Sequence, residues 1–184
     1  MTTRRNALAI ASFATLALLT GSDPGQAASA GEIEAGVNET LARLHATTPG
    51  TRELVARAAG VLVFPTIVKA GIGIGGEYGE GALRVAGRTA GYFNSISGSI
   101  GFQFGAQARS VVIMFMTPEA LAGFRRVDGW KVGVDGSVAI ITVGAGGSID
   151  TTKITRPVIG FILDQKGLMY NLTLEGSKIS RISR

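Results

Sequence analysis

The chain has 184 residues, of which 46% are apolar, 17% charged, 27 are glycine, 5 proline and none cysteine. This excludes disulfides, thiolate metal sites and a cysteine nucleophile, and it is not the composition of a disordered protein. Lys and Arg number 18 against 13 Asp and Glu, a mild excess that argues against a nucleic-acid partner.

Residues 1–30 read as a secretory signal, with Arg4-Arg5, an apolar run from Ala7 to Leu19 and a small-residue site at Ala28-Ser29-Ala30, with cleavage expected after Ala30. Thr3 to Leu8 has the outline of a twin-arginine signal. The apolar run is shorter than the roughly 20 residues that a bilayer span needs. Ser22 stands where a lipoprotein box requires cysteine, so no lipid anchor is expected. Removing Arg4, Arg5 and Asp23 with the leader leaves 16 basic residues against 12 acidic ones. The expected product is a periplasmic or secreted protein with one domain, 31–184.

Ile33, Val37, Leu41 and Leu44 recur at helical spacing, and Thr47-Thr-Pro-Gly50 breaks the pattern. Leu54, Val55 and Ala58 predict a second, shorter helix ending at Gly60. From Val61 the period changes to two. Segments 61–64, 71–75, 91–97, 101–104 and 110–115 are predicted strands separated by glycine-bearing turns. Thr117-Pro118 starts a short helix running to Arg126, with threonine as N-cap and two arginines at the negative pole. Further strands are predicted over 130–134, 137–143, 158–163, 168–174 and 178–182, with Asp164 to Gly167 as a hairpin loop. No β/α alternation appears, which argues against a doubly wound fold. The expected class is α+β: an N-terminal helical pair on a large antiparallel β-sheet or partly closed β-barrel, with one short helix inserted near 117–126.

Catalytic constellations are missing from the sequence. Gly71 to Gly76 spells G-x-G-x-x-G, but Glu77-Tyr-Gly-Glu-Gly81 follows where a phosphate-facing helix would have to start, so strand packing is the preferred reading. His45 is the only histidine and reads as a helix-end residue. Without a Gly-x-Ser-x-Gly elbow, P-loop or metal-ligand spacing, no cofactor or metal is expected. The remaining enzymatic reading would use Glu77, Glu80 or Asp128 as acid and base. A transmembrane barrel is disfavoured, because few segments reach the 9 to 11 residues of a spanning strand. Lys69, Arg84, Arg88, Arg109, Lys153 and Arg156 stand in or beside the strands, and they are either scattered solvated charges or, if several share a face, a basic patch that is the candidate binding site for an anionic membrane surface. At about 1 kcal/mol per cation near an acidic surface, four acting together raise affinity by about a thousandfold.

Several ordered blocks resemble a known family: Gly60-Val-Leu-Val-Phe-Pro65, Lys69-Ala-Gly-Ile-Gly73, Gly75-Gly-Glu-Tyr-Gly79, Phe102-Gln-Phe-Gly-Ala-Gln107, Phe115-Met-Thr117, and Lys166-Gly-Leu-Met169 through Leu174-Glu-Gly-Ser177. Together, from about Arg52 to Ile182, they are similar to the SYLF domain, a lipid-binding module also found in yeast actin-patch proteins. The resemblance implies binding of phosphoinositides or acidic phospholipids and, in fungal members, of actin filaments. In eukaryotic members an amphipathic N-terminal helix is associated with the lipid contact. Here the corresponding segment, Glu32 to Arg57, has four glutamates against three arginines, which moves the expected site to the strands. The leading expectation is a non-enzymatic, exported protein that binds acidic phospholipid surfaces through a basic face. The alternative is a structural or protein-interaction module of the cell envelope.

Overall fold

The computed structural model describes residues 27–142, 155–166, 174 and 176–184. Among them are three helices, α1 (Ala30–Thr47), α2 (Thr51–Arg57) and α3 (Pro118–Arg126). Six strands accompany them: β1 (Gly60–Val85), β2 (Arg88–Phe115), β3 (Trp130–Lys131), β4 (Ala139–Thr142), β5 (Val158–Lys166) and β6 (Lys178–Ile182). The class is α+β, as expected.

Helix α1 buries Ile33, Val37, Thr40 and Leu44 on one face. Its N-cap is Ser29, whose hydroxyl accepts from the Glu32 amide at 3.3 Å while the Glu32 carboxylate accepts from the Ser29 amide at 2.7 Å. These bonds stabilise the charged carboxylate and hold the Glu32 carboxyl below its ordinary 4.5. A lowered folded-state value means that this contribution is present above the unfolded pKa and is lost as pH falls through the folded one. Ser29 lies inside the expected leader, so a cut after Ala30 would leave α1 uncapped. Ser29→Ala is expected to cost about 1 kcal/mol at neutral pH. Urea titrations should show the deficit shrinking at acidic pH, once Glu32 is protonated in both chains.

The five short strands expected between residues 61 and 115 are pieces of only two, which form a single antiparallel hairpin. It turns at Ala86 and Gly87, both at positive φ (49° and 75°), the geometry of a two-residue turn whose twist matches the flanking strands. Straight, the 26 residues of β1 would reach about 85 Å, roughly twice the width of a domain of this size. The hairpin therefore bends. Register shifts between Phe64 and Ile67, Ile72 and Ile74, and Leu83 and Arg84 mark the bends. Pro65 sits in the first, where a strand tolerates a residue without an N–H. The curl folds β1 back onto itself at two glycines. A Cβ at Gly81 would lie 2.0 Å from the Val63 carbonyl oxygen, and one at Gly79 would lie 2.6 Å from that of Thr66.

One half of β2 pairs with β6 (Tyr92 to Ile96) and the other with β5 (Ala108 to Phe115), giving a sheet ordered β3-β6-β2-β5-β4 with β1 on β2. It is not purely antiparallel, as β4 runs parallel to β5. Parallel neighbours need a connection of a dozen or more residues, and the interval between Thr142 and Val158 meets that length.

Asp164 to Lys166 continue β5 instead of forming a hairpin loop, because β2 supplies a ladder partner as far as Ala108, which pairs with Lys166. Strand β3 is shorter than expected. Gly133 takes a φ of 85°, and the Val134 and Asp135 amides both turn back to the Lys131 carbonyl. Of the strand expected over 168–174, only Leu174 is described, and it is buried.

Both faces of the central strands are covered. Val61, Val63, Val112 and Met114 pack with Ile33, Val37, Leu44 and Leu54 under the two N-terminal helices. Leu62, Phe64, Val111, Ile113 and Phe115 point the other way, toward Leu121 and Phe124 of α3, Trp130 and Ile179. This double burial is why Val61 to Phe64 and Ser110 to Phe115 read as nearly continuous apolar runs instead of alternating ones.

Candidate functional site

The curl decides where the candidate cations go. Lys69 and Glu77 belong to the same strand, eight positions apart, yet the Lys69 ammonium lies 3.5 Å from the Glu77 carboxylate. From β2, Arg109 grips the same carboxylate with both terminal nitrogens, at 2.6 and 3.4 Å. All three side chains are buried, Arg109 to 3% exposure. Arg84 is held elsewhere. Its guanidinium lies 2.5 Å from Glu34 and donates to Asn38 at 3.0 Å and to Thr89 at 2.9 Å, tying the hairpin to α1. Arg88 is exposed at the hairpin turn. Arg156 is exposed on a groove of about 650 Å³ that Phe124, Trp130, Glu119 and Asp135 also line. Lys153 lies outside the described residues. The five described ones therefore do not share one face: two meet on Glu77, one is spent on Glu34, and two are exposed in different places.

The carboxylates of the enzymatic reading do not converge either. Glu77 is occupied by Lys69 and Arg109. Glu80 accepts from Tyr78 and from Arg184. Burial and the Glu80 carboxylate push the Tyr78 phenol above its ordinary value. Asp128 is exposed in the turn after α3. No cluster of three His, Asp or Glu among the described residues could hold a metal ion. His45 links α1 to α2 through Thr51 Oγ1 at 3.1 Å, and burial and then Arg52 lower its pKa.

A different cationic group appears in three dimensions. Arg125 and Arg126 at the end of α3 and Arg181 of β6 line one depression of about 260 Å³, together with Leu83, Ala90, Phe93, Phe124, Ile179 and Asp128. All three arginines are exposed, and none is ion-paired with a described carboxylate. Arg181 arrives there because β6 pairs with β2, placing it opposite Phe93. Its guanidinium sits over Gly91, where an added Cβ would meet three of its atoms at 3.3 to 3.4 Å. Arg88 stands two positions from Ala90 and so belongs to the same end of the molecule. The Arg125-Arg126 pair was legible in sequence only as a complement to the helix dipole. Nothing local placed Arg181 beside it.

A second exposed feature is apolar. Tyr78 and Ile96 are register partners, each 48% exposed, and Val68, 44% exposed, lines the same groove as Tyr78. No helix among the described residues is long and apolar enough to cross a membrane.

Residues 96–183 match the family model Ysc84, described as Las17-binding protein actin regulator. This stretch is similar to the SYLF (Ysc84) family, the one that the sequence blocks resemble. The match takes in most of β2, α3 and β3 to β6, and with them Arg125, Arg126 and Arg181. The blocks at Gly60 to Pro65, Lys69 to Gly73 and Gly75 to Gly79 precede it. No curated protein matches the chain.

Proposed function

We propose that this chain is an exported, non-catalytic module that binds the surface of acidic phospholipid membranes. The observation that carries the reading is the cationic end formed by Arg88, Arg125, Arg126 and Arg181, all exposed. The similarity of residues 96–183 to the SYLF family supports it. Lys69, Arg84 and Arg109 of the candidate set act on the fold, through Glu77 and Glu34, and Arg88 and Arg156 remain for the surface. Four cations near an anionic leaflet, at about 1 kcal/mol each, suffice for reversible association. The attraction is screened by salt, since the Debye length falls from about 8 Å at physiological ionic strength to about 3 Å at 1 M.

Vesicle co-sedimentation tests this. Binding is expected to vesicles containing acidic phospholipid and not to neutral ones. It should drop by an order of magnitude or more at high salt, and severalfold in Arg88→Gln. Equal binding to neutral vesicles, or indifference to salt, would remove the electrostatic basis.

The exposed Val68, Tyr78 and Ile96 favour a second reading, a protein partner in the cell envelope. A cross-linked partner lost on Tyr78→Ser, in a protein that ignores vesicles, would establish it instead.

A further inference from the structure

We infer that the depression framed by Arg125, Arg126 and Arg181 is a built site for a single phosphate monoester, distinct from the diffuse attraction of a basic surface. This rests on the lipid-surface reading for its biological setting, but its chemistry stands on the site alone. Two of the three arginines answer the negative pole of α3, which accounts for their presence at a helix end. Arg181 has no such reason to be there, since it comes from a different element and is brought in by the β2–β6 register. With one carboxylate among them, the three guanidiniums leave the depression positively charged, and a bound anion would offset that charge.

The lining carries three guanidiniums and one carboxylate, Asp128, a net charge of +2. A phosphate monoester at neutral pH carries roughly −1.5 to −2 and three terminal oxygens, so charge and acceptor number both match. A phosphodiester offers one negative charge and two terminal oxygens. Guanidinium groups grip such oxygens in pairs with fixed geometry, which makes the contact specific as well as strong. The lining residues Leu83, Phe93, Phe124 and Ile179 are apolar and buried, which keeps water off one side of the bound group and strengthens each contact. The depression is also the right size, because about 260 Å³ holds a phosphate with a short polyol and not a nucleotide-sized ligand.

The test compares vesicles of matched surface charge whose acidic lipid is either phosphatidic acid, a monoester, or phosphatidylglycerol, a diester, alongside calorimetry with soluble glycerol 3-phosphate. The expected result is about tenfold tighter binding to the phosphatidic acid vesicles. That preference should disappear in Arg181→Gln and in Arg125→Gln/Arg126→Gln, and should persist in Arg52→Gln, an exposed residue of α2 outside the depression. Equal binding to both vesicles, with the arginine variants affecting both alike, overturns the monoester site and leaves the general lipid reading standing. Glycerol 3-phosphate binding that Arg181→Gln abolishes, in a protein that ignores both vesicles, supports the site as one for a soluble phosphate ester and overturns the lipid reading. Failure to bind either vesicle or the soluble ester overturns both.

Discussion

Glu77→Ala is expected to destabilise the protein by about 3–5 kcal/mol, the cost of breaking a buried ion group while leaving its partners inside. Glu77 accepts from Arg109 at 2.6 Å and stands 3.5 Å from Lys69. Removing it leaves an ammonium and a guanidinium close together with poor access to water. Coulomb repulsion then adds to the loss of two charge-assisted hydrogen bonds. Glu77→Gln keeps an acceptor for Arg109 but not the charge, and its loss should fall between those of wild type and alanine. Replacing the whole group by apolar residues of similar size, Lys69→Met/Glu77→Leu/Arg109→Met, should recover most of the deficit, since the penalty comes from uncompensated charge more than from lost attraction. Urea unfolding followed by circular dichroism measures all three variants. A loss below about 1 kcal/mol in Glu77→Ala would show that the two cations reach water or other carboxylates.

This ion group also marks the limit of what the sequence discloses. Helical spacing in α1, the Thr117-Pro118 start of α3 and the β-branched and aromatic runs that begin at Val61 are local signals, and the structure bears them out. Lys69 and Arg109 carry the same local signature as solvated strand cations, and they read as members of a basic face. Only the curl of β1 shows otherwise, by bringing Glu77 across a distance that an extended strand would keep at about 26 Å. The breaks expected within β1 fail for a related reason. Pro65 and the glycines look like strand ends, but bulges absorb the proline and close backbone packing uses Gly79 and Gly81. The phosphate-sized depression was illegible because Arg125 and Arg181 are far apart in sequence and meet only through the β2–β6 register. The fold class was visible because it depends on periodicity, whereas the site depends on tertiary geometry that no short window contains.

Gly81→Ala should be the most damaging single methyl that can be added to this chain among the described glycines. The new Cβ would stand 2.0 Å from the Val63 carbonyl oxygen and 2.8 Å from both the Val63 carbonyl carbon and Phe64 Cδ1. Overpacking a core usually costs about 1–3 kcal/mol because side chains can move aside. Here the obstacle is backbone in a paired strand, so relief requires the curl itself to open, and the expected cost exceeds about 3 kcal/mol. Two other glycines calibrate the effect. Gly87→Ala meets no atom within 4 Å but must hold a φ of 75°, at a cost of about 1–2 kcal/mol. Gly98→Ala meets neither obstacle and should be neutral or slightly stabilising through the unfolded chain. Because the curl that Gly81 permits also delivers Glu77 to its cations, Gly81→Ala and Glu77→Ala should not add. Their double-mutant cycle is expected to show a coupling of about 0.5–3 kcal/mol, in the sense that the second change costs less once the first is made. Strictly additive losses would mean that the close approach at Gly81 and the burial of Glu77 are independent features and not two consequences of one bend.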